Sequence, residues 1–338
     1  MTSTNPTPSN IDNTQQPQAK RLVSVIVSVY NEESVLREYY DEWSARAAEL
    51  DGYDFELLFV NDGSNDLSSQ IADDLAAADP RVRVLHFSRN FGHEAAMLAG
   101  IDHAGGDVLI CMDADLQHPP ALMGAMLERY RQGCDVVTMV RTADQALPWA
   151  KRLTSRWFYS IINRLSPTRM EPGASDFFLI SSRVADVLRH DYRERTRFLR
   201  GLVQQVGFRS GSIEFVAPER HAGRSKYSMR RLLTLSATAI ASFSKLPLKL
   251  GIYAGLLFGL LSMVLTVYSL VMWFVQRPVG GYTTLVIFLS VFASILLLVL
   301  GVIGYYVGFI FDEVKGRPTY IIERQTPDQQ ATSANPHP

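Results

Sequence analysis

The sequence predicts an α/β fold with a mostly parallel sheet and helices on both faces, followed by an interfacial helix and a two-helix transmembrane hairpin. Two observations predict it. First, short runs rich in β-branched residues alternate with segments whose apolar residues recur at helical spacing, which implies parallel strands joined by right-handed crossovers. Second, residues 250–311 contain two long apolar runs, and Arg277 is the only charged residue among them.

The first part of the chain divides into repeated strand and helix units. Strands are predicted at residues 22–29, 55–60, 82–87, 108–112 and 134–140, with helices at residues 36–50, 67–75, 91–104 and 119–131. Beyond residue 141 the pattern loosens, and we predict helices at residues 149–165 and 197–206 and strands at residues 175–180 and 211–216. Because parallel strands end at a common edge, the polar loops at residues 30–33, 61–64, 88–92 and 113–117 should face one crevice.

Two carboxylates, Asp113 and Asp115, directly follow the fourth predicted strand. Oxygen ligands of this kind suit Mg²⁺ or Mn²⁺, so the pair indicates a site for a metal and a diphosphate. The same spacing also occurs in a simple turn, in which Asp caps the chain and Pro119 opens the next helix. None of the four loops holds a Gly-x-Gly-x-x-Gly or P-loop motif, so a phosphate ligand would depend on metal and basic side chains.

The last part of the chain indicates attachment to a membrane. Residues 228–248 are predicted to form an amphipathic helix that lies in the membrane surface. The runs at residues 250–276 and 282–311 each exceed the roughly 20 apolar residues that a transmembrane helix needs. Lysines and an arginine flank the outer ends of this hairpin, against Arg277 in its turn, so the positive-inside rule predicts that both termini are cytoplasmic.

The predicted organisation has five parts. They are a disordered tail at residues 1–20, a cytoplasmic catalytic domain at residues 21–227, the interfacial helix at residues 228–248, the hairpin at residues 249–312 and a cytoplasmic tail at residues 313–338. The formal net charge of −1 excludes little, and no nucleic-acid partner is expected. The two cysteines, Cys111 and Cys134, lie in strand-like runs, so a disulfide framework is not predicted.

Five motifs in a fixed order resemble those of glycosyltransferase family 2. They are Val-Ile-Val-Ser-Val-Tyr-Asn-Glu-Glu at residues 25–33, Val-Asn-Asp-Gly-Ser at 60–64, Arg-Asn-Phe-Gly at 89–92, Asp-Ala-Asp-Leu-Gln-His-Pro-Pro at 113–120 and Gly-Arg-Ser-Lys-Tyr at 223–227. With the hairpin, the chain resembles the polyprenyl-phosphate branch, which includes bactoprenol glucosyltransferases and dolichol-phosphate mannose synthases. The resemblance covers roughly residues 22–324 and implies a GT-A (Rossmann-like) fold. Ser28 stands where the family commonly has proline.

The resemblance implies a role for each matching position. The nucleotide sugar would be held by Val29, Tyr30, Glu32, Asp62, Asp113 and Arg141, with Asp62 accepting from a base N–H. The metal, Mg²⁺ or Mn²⁺, would be held by Asp113, Asp115 and Gln117. The acceptor phosphate would be held by Arg220, Arg224, Ser225 and Lys226, whose charges suit a phosphate. The catalytic residues would be Asp176, Asp115, Arg224 and Lys226, with Asp176 matching the acid often assigned as the base.

The predicted function is therefore an inverting, metal-dependent transfer of a sugar to polyprenyl (undecaprenyl) phosphate at the cytoplasmic face of the plasma membrane, for cell-envelope glycan modification. Glucose from UDP-glucose is the first candidate donor. The predicted partners are a nucleotide sugar, the lipid phosphate, the bilayer and further copies of the chain. Two alternatives stay open: a non-catalytic membrane scaffold, and a processive polysaccharide synthase, although Leu153 replaces Gln in that class's Gln-x-x-Arg-Trp motif.

Overall fold

A computed structural model describes residues 20–142, 173–193, 199–216, 218, 246–275 and 280–326. The strands within these residues are β1 Arg21–Val29, β2 Tyr53–Asn61, β3 Val82–Phe87, β4 Val108–Asp113, β5 Val136–Arg141, β6 Ala174–Ser181, β7 Ser210–Phe215 and β8 Ile322–Gln325. The helices are α1 Leu36–Glu49, α2 Ser68–Ala78, α3 His93–His103, α4 Met123–Arg131, α5 Ser182–His190, α6 Leu199–Gln205, α7 Leu246–Phe274 and α8 Tyr282–Val314, with a 3₁₀ turn at Pro120–Leu122.

All the described strands belong to one sheet, in the order β7-β5-β6-β4-β1-β2-β3-β8. The four neighbours β3, β2, β1 and β4 run parallel to one another, as predicted. Strand β7 is parallel to β5, whereas β6 is antiparallel to both β4 and β5, and β8 is antiparallel to β3. The mostly parallel α/β class is confirmed, but the reversed direction of β6 and β8 was not predicted, because apolar periodicity carries no information on strand direction.

Helices cover both faces of the sheet because β1, at its centre, is apolar on both sides. Val25 and Val27 belong to the core that contains Tyr39 and Trp43 of α1, together with α2 and α4. Ile26, which points the other way, belongs to a second core formed with α3, α5 and α6. This alternation is the period of two that a pleated strand imposes, and it places the two cores on opposite faces.

Helix α3 lies unusually close to the sheet. A Cβ atom added to Gly100 would be 2.1 Å from Cγ2 of Ile26, so glycine is required where the helix crosses β1. Gly92, which precedes the helix, has a φ of +101°, a conformation that residues with a Cβ rarely adopt. Together the two glycines bring the first residues of α3 against the ends of β1 and β4.

The two long helices near the C-terminus match the predicted hairpin in place and length. Two segments, Gly251–Met272 and Ile287–Val314, are long and apolar enough to cross a membrane, and neither is buried by the rest of the protein. Three predicted segments lie outside the described residues: residues 1–19 of the predicted tail, the predicted helix at residues 149–165, and the predicted interfacial helix up to residue 245. The last three residues of that predicted interfacial helix belong to α7.

Strand β8 lies in the predicted cytoplasmic tail, where the sequence indicated no element. Its four residues, Ile-Glu-Arg-Gln, include a single apolar side chain, so no periodicity marks them as a strand. The chain thus returns to the sheet after the second apolar helix and pairs with β3.

Candidate functional site

The ends of the parallel strands bring four polar loops to one edge of the sheet, as predicted. The first two loops are joined directly: the backbone N–H of Asn31 donates to Oγ of Ser64 over 3.1 Å, and that of Asn65 donates to Oδ1 of Asn31 over 2.9 Å. Asn31 has a φ of 57°, which is uncommon for a residue other than glycine. This local strain marks the loop as one whose shape the surrounding contacts impose.

The predicted nucleoside residues of the first loop differ in what they can offer. Val29 is fully buried, and its carbonyl oxygen accepts from the backbone N–H of Asp62 over 2.9 Å. The ring of Tyr30 is 43% exposed, so it presents a flat aromatic surface at the edge of the sheet. The backbone N–H of Glu32 donates to Oγ of Ser68 over 2.8 Å, which ties the first loop to the start of α2.

Asp62 braces the third loop against the second. Its carboxylate is buried and accepts from the backbone N–H of Phe91 over 2.6 Å and from that of Gly92 over 2.9 Å and 3.2 Å. Burial raises the pKa of Asp62, and these hydrogen bonds offset only part of that rise. The predicted hydrogen bond from a base N–H would therefore be an additional one, because the carboxylate of Asp62 already accepts from two backbone N–H groups.

The Asp-x-Asp segment is a turn whose polar side chains face one side. Asp113, Asp115 and Gln117 are half-buried, whereas the residues between them are buried. Leu116 has a φ of 58°, and the backbone N–H of Gln117 donates to Oδ1 of Asp115 over 3.1 Å. The turn interpretation and the ligand interpretation therefore describe the same residues, because the turn is what presents the three side chains together.

His118 supports this turn from beneath. It is buried, its Nδ1 accepts from the backbone N–H of Asp113 over 2.9 Å, and its ring stacks on Phe177 with centroids 5.0 Å apart. Burial lowers the pKa of His118 more than the nearby carboxylates raise it, so the ring is neutral at physiological pH and can accept from that N–H.

The donor set at the turn fits a divalent cation that also binds a diphosphate. Among the described residues, no three His, Cys, Asp or Glu side chains gather as a metal site, so protein ligands alone do not form a closed cage. Mg²⁺ is usually held by one or two carboxylates and completes its shell with water and substrate phosphates, which matches Asp113 and Asp115. Oε1 of Gln117 accepts from Arg141 over 3.2 Å, so Gln117 would have to exchange this partner for a metal.

A histidine that the sequence did not single out lies between the two predicted acidic sites. His93 Nδ1 lies 3.5 Å from Oδ1 of Asp113, and Nε2 lies 3.9 Å from Oδ2 of Asp176. Nδ1 also lies 3.0 Å from the hydroxyl of Ser28. Burial alone would lower the pKa of His93, but Asp113 and Asp176 outweigh it and raise that pKa. The one available signal was its position directly after the Arg-Asn-Phe-Gly motif.

Asp176 on β6 has a second basic neighbour. Arg200 on α6 places Nε 3.3 Å from Oδ1 of Asp176. Glu94, next to His93, accepts from the backbone N–H of Leu199 over 2.9 Å, and burial together with Asp176 raises the pKa of Glu94 to about 7. Asp176 therefore lies in a partly closed cluster in which its orientation is set from two sides.

The structure brings most of the predicted site residues to this edge. Those that it places there are Val29, Tyr30, Glu32, Asp62, Asp113, Asp115, Gln117, Arg141 and Asp176. The predicted acceptor residues Arg220, Arg224, Ser225 and Lys226 lie outside the described residues. Sequence reasoning missed His93, Glu94, His118 and Arg200. It also missed the contact that the hydroxyl of Ser28 makes with His93.

Comparison with known proteins gives relatives along most of the chain. The family model described as Glycosyl transferase family 2 matches residues 24–188. The chain is 40% identical over 304 residues to the uncharacterized glycosyltransferase YkcC of Bacillus subtilis (strain 168), covering 89% of this chain and 93% of that protein. It is 36% identical over 303 residues to the SfII prophage-derived bactoprenol glucosyl transferase of Shigella flexneri, covering 89% and 97%.

Solved structures with a similar arrangement are more distant. Mannosyl-3-phosphoglycerate synthase from Rubrobacter xylanophilus has a TM-score of 0.46 and 16% identity, covering 66% of this chain and 73% of that one. Glucosyl-3-phosphoglycerate synthase from Mycobacterium tuberculosis, in complex with Mn²⁺, UDP-glucose and phosphoglyceric acid, has a TM-score of 0.43 and 17% identity, covering 65% and 78%.

Proposed function

Because this chain belongs to glycosyl transferase family 2 and has its GT-A fold, we propose that it transfers a hexose from a nucleotide sugar to the phosphate of a polyprenyl lipid. The relatives named bactoprenol glucosyl transferase support this acceptor and make glucose from UDP-glucose the first donor to test. The observation that carries the proposal is that His93 lies between Asp113, in the Asp-x-Asp turn, and Asp176.

Asp113 and Asp115 would hold a divalent cation, Mg²⁺ or Mn²⁺, with Gln117 joining them after it releases Arg141. When bound, such a cation supplies Lewis-acid stabilisation of the charge on a departing nucleoside diphosphate. Arg141 would then be free to contact the diphosphate as a charge-assisted donor. The exposed ring of Tyr30 and the loop braced by Asp62 would hold the nucleoside beside them.

The acceptor reduces the demand on a general base. A phosphate monoester has a second pKa near ~6, so its oxygen is already ionised at cytoplasmic pH and can attack the anomeric carbon directly. We therefore assign Asp176 mainly to orienting the sugar or the acceptor, with Arg200 and His93 holding the carboxylate. In-line attack of this kind inverts the anomeric carbon. Arg220, Arg224, Ser225 and Lys226 would bind the acceptor phosphate.

The two apolar helices would keep the reaction at the bilayer face, where the lipid phosphate lies. We place the catalytic domain and both termini in the cytoplasm, because Lys245, Lys249, Lys315 and Arg317 lie at the outer ends of the hairpin. Close contacts between small residues of the spans would allow further copies of the chain to associate.

The test is sugar transfer by the full-length protein in lipid nanodiscs, with undecaprenyl phosphate and a panel of radiolabelled nucleotide sugars. We expect label in the lipid fraction with UDP-glucose, and loss of more than about a hundredfold in Asp115→Asn, the scale of removing one main stabiliser of developing charge. Asp74→Asn, at an exposed surface ion pair, is the matched control and should keep full activity. Full turnover by Asp115→Asn would exclude the metal assignment, and no transfer from any donor would exclude the function.

A further inference from the structure

The segment that follows the second apolar helix, residues 316–326, forms a strap that returns to the catalytic domain. Strand β8 within it extends the sheet beyond β3, with Arg324 opposite His86. The backbone N–H of Ser88 donates to the carbonyl of Ile321 over 3.1 Å, and that of Thr326 donates to the carbonyl of Val84 over 3.0 Å. The strap is therefore hydrogen-bonded to the second part of β3, from Val84 to Phe87, and to Ser88 just beyond it.

Its first half is fixed by an aromatic contact. The ring of Tyr320 stacks on Phe87 with centroids 5.3 Å apart and planes at 11°, and its hydroxyl donates to Oδ2 of Asp102 over 2.8 Å. Arg193 binds the other oxygen of Asp102 over 2.8 Å. The strap therefore enters the domain at a defined point, a few residues after the helix proposed to lie in the membrane.

The second half of the strap contacts a series of hydrogen-bonded side chains, Asp73, His86 and Asn61, that leads into the loops proposed to bind the nucleotide. Arg324 donates to both oxygens of Asp73, over 3.1 Å and 2.6 Å, and to Oγ of Ser69 over 3.1 Å. Nε2 of His86 lies 2.9 Å from Oδ1 of Asp73, and Nδ1 lies 3.0 Å from Nδ2 of Asn61. His86 is buried, and Oγ of Ser69 also lies 3.2 Å from its Nδ1, so the partners of the ring are protein groups and not water.

Each bond in this series determines the direction of the next. The backbone N–H of Ser64 donates to Oδ1 of Asn61 over 3.1 Å, so the amide NH₂ of Asn61 faces His86. Nδ1 of His86 must then accept, which leaves the proton on Nε2 to be donated to Asp73. Asp73 in turn is held by the guanidinium of Arg324, and the series has one consistent set of donors and acceptors.

This series of hydrogen-bonded side chains ends where the nucleotide sugar is proposed to bind. Asn61 directly precedes Asp62, and Oγ of Ser64 accepts from the backbone N–H of Asn31 in the first loop. A strand that merely covers the sheet edge would need only its backbone pairing. Such a strand would not need an arginine whose guanidinium donates to both oxygens of Asp73, the carboxylate that orients His86.

We propose that Arg324 is a positioning residue for the nucleotide sugar: through Asp73, His86 and Asn61 it holds the loops at residues 30–33 and 61–65 in their binding shape. This inference rests on the proposed function for its ligand. It also makes the strap a physical link between the membrane helices and the donor site, because the same segment connects the two.

The experiment compares Arg324→Ala, Arg324→Lys and the wild type as full-length protein in nanodiscs. We expect KM for the nucleotide sugar to rise about fivefold to tenfold in Arg324→Ala, the effect of one lost hydrogen bond, with kcat and the KM for lipid phosphate changed less than about twofold. Arg324→Lys keeps the charge but not the fork, so it should rescue only partly. Gln325→Ala, an exposed neighbour on the same strand, is the control and should behave as wild type.

A second readout separates this inference from the proposed function. Hydrogen exchange on the ligand-free protein should be faster at the amides of residues 31 and 64 in Arg324→Ala, and Asp73→Asn should add nothing to that change. If exchange is faster in Arg324→Ala but the protein transfers no sugar, the coupling of Arg324 to the loops is supported and the proposed function is excluded. Unchanged exchange and unchanged KM in an active Arg324→Ala protein would overturn the inference, as would an equal rise in both KM values.

Discussion

Replacing Asp62 by asparagine should destabilise the catalytic domain, because the carboxylate braces the loop that precedes α3. In the native protein its two oxygens accept from the backbone N–H groups of Phe91 and Gly92. An asparagine side chain has the same shape but a single acceptor oxygen, and its NH₂ group would face a backbone donor. One of the charge-assisted bonds is therefore lost.

The expected magnitude follows from two opposing effects. A hydrogen bond to a charged group contributes about 1.5–3 kcal/mol to stability. Burial raises the pKa of Asp62, which means that the buried charge carries a desolvation cost. A neutral asparagine does not carry this cost, so part of the lost stability is recovered. We expect a net loss of about 1–2 kcal/mol, which lowers the melting temperature by about 2–8 °C for a domain of this size.

The assay is thermal unfolding of the purified protein in nanodiscs, followed by intrinsic fluorescence, together with the KM for the nucleotide sugar. The control is Asp74→Asn, whose partner Arg37 lies 3.3 Å away and whose side chain is 54% exposed. An exposed pair of this kind contributes about 0–1 kcal/mol, so the control should unfold close to the wild type. If Asp62→Asn has the same melting temperature as the control while its KM for the nucleotide sugar rises, the carboxylate binds the ligand and does not stabilise the loop.

Two further predictions concern α3. Gly100→Ala should cost about 1–3 kcal/mol of stability, because its Cβ would lie 2.1 Å from Ile26, whereas Gly105→Ala, whose Cβ would lie 3.9 Å from its nearest neighbour, should unfold as the wild type does. Glu94 should make stability fall with pH: its pKa rises from 4.5 to about 7 on folding, so its contribution is full below 4.5 and is lost as the pH passes 7. The melting temperature of Glu94→Gln should accordingly vary less with pH than that of the wild type between about pH 5 and pH 8, and parallel curves would contradict this assignment.

The parts of the fold that could be predicted from sequence are those with a repeated local pattern. Strands β1 to β4 and the helices between them differ from the predicted bounds by only a few residues, because apolar runs rich in β-branched residues alternate there several times with segments of helical periodicity. The four loops converge as predicted, since parallel neighbours must end at a common edge. The long apolar helices were predicted from length and charge alone.

The parts that could not be predicted depend on contacts between distant residues. Strand β8 has one apolar side chain in four and is stabilised by pairing with β3, so nothing in its own sequence marks it. His93 and Arg200 become site residues only because α3 packs against β1 and β2, and α6 packs against β6. The reversed direction of β6 likewise depends on where the chain returns to the sheet, and apolar periodicity carries no such information.

Ser28, at the position where the family commonly has proline, shows how one local departure is accommodated. Proline would stiffen the chain by fixing φ, and its absence predicts a looser end to the first strand. In the structure Ser28 pairs with Val60 on one side and with Asp113 on the other, so the strand is held by both neighbours as far as this residue. The hydroxyl lies 3.0 Å from Nδ1 of His93, a contact that proline could not make. The rigidity that a proline would supply thus comes from the sheet, and the side chain is left to hold His93 against Asp113.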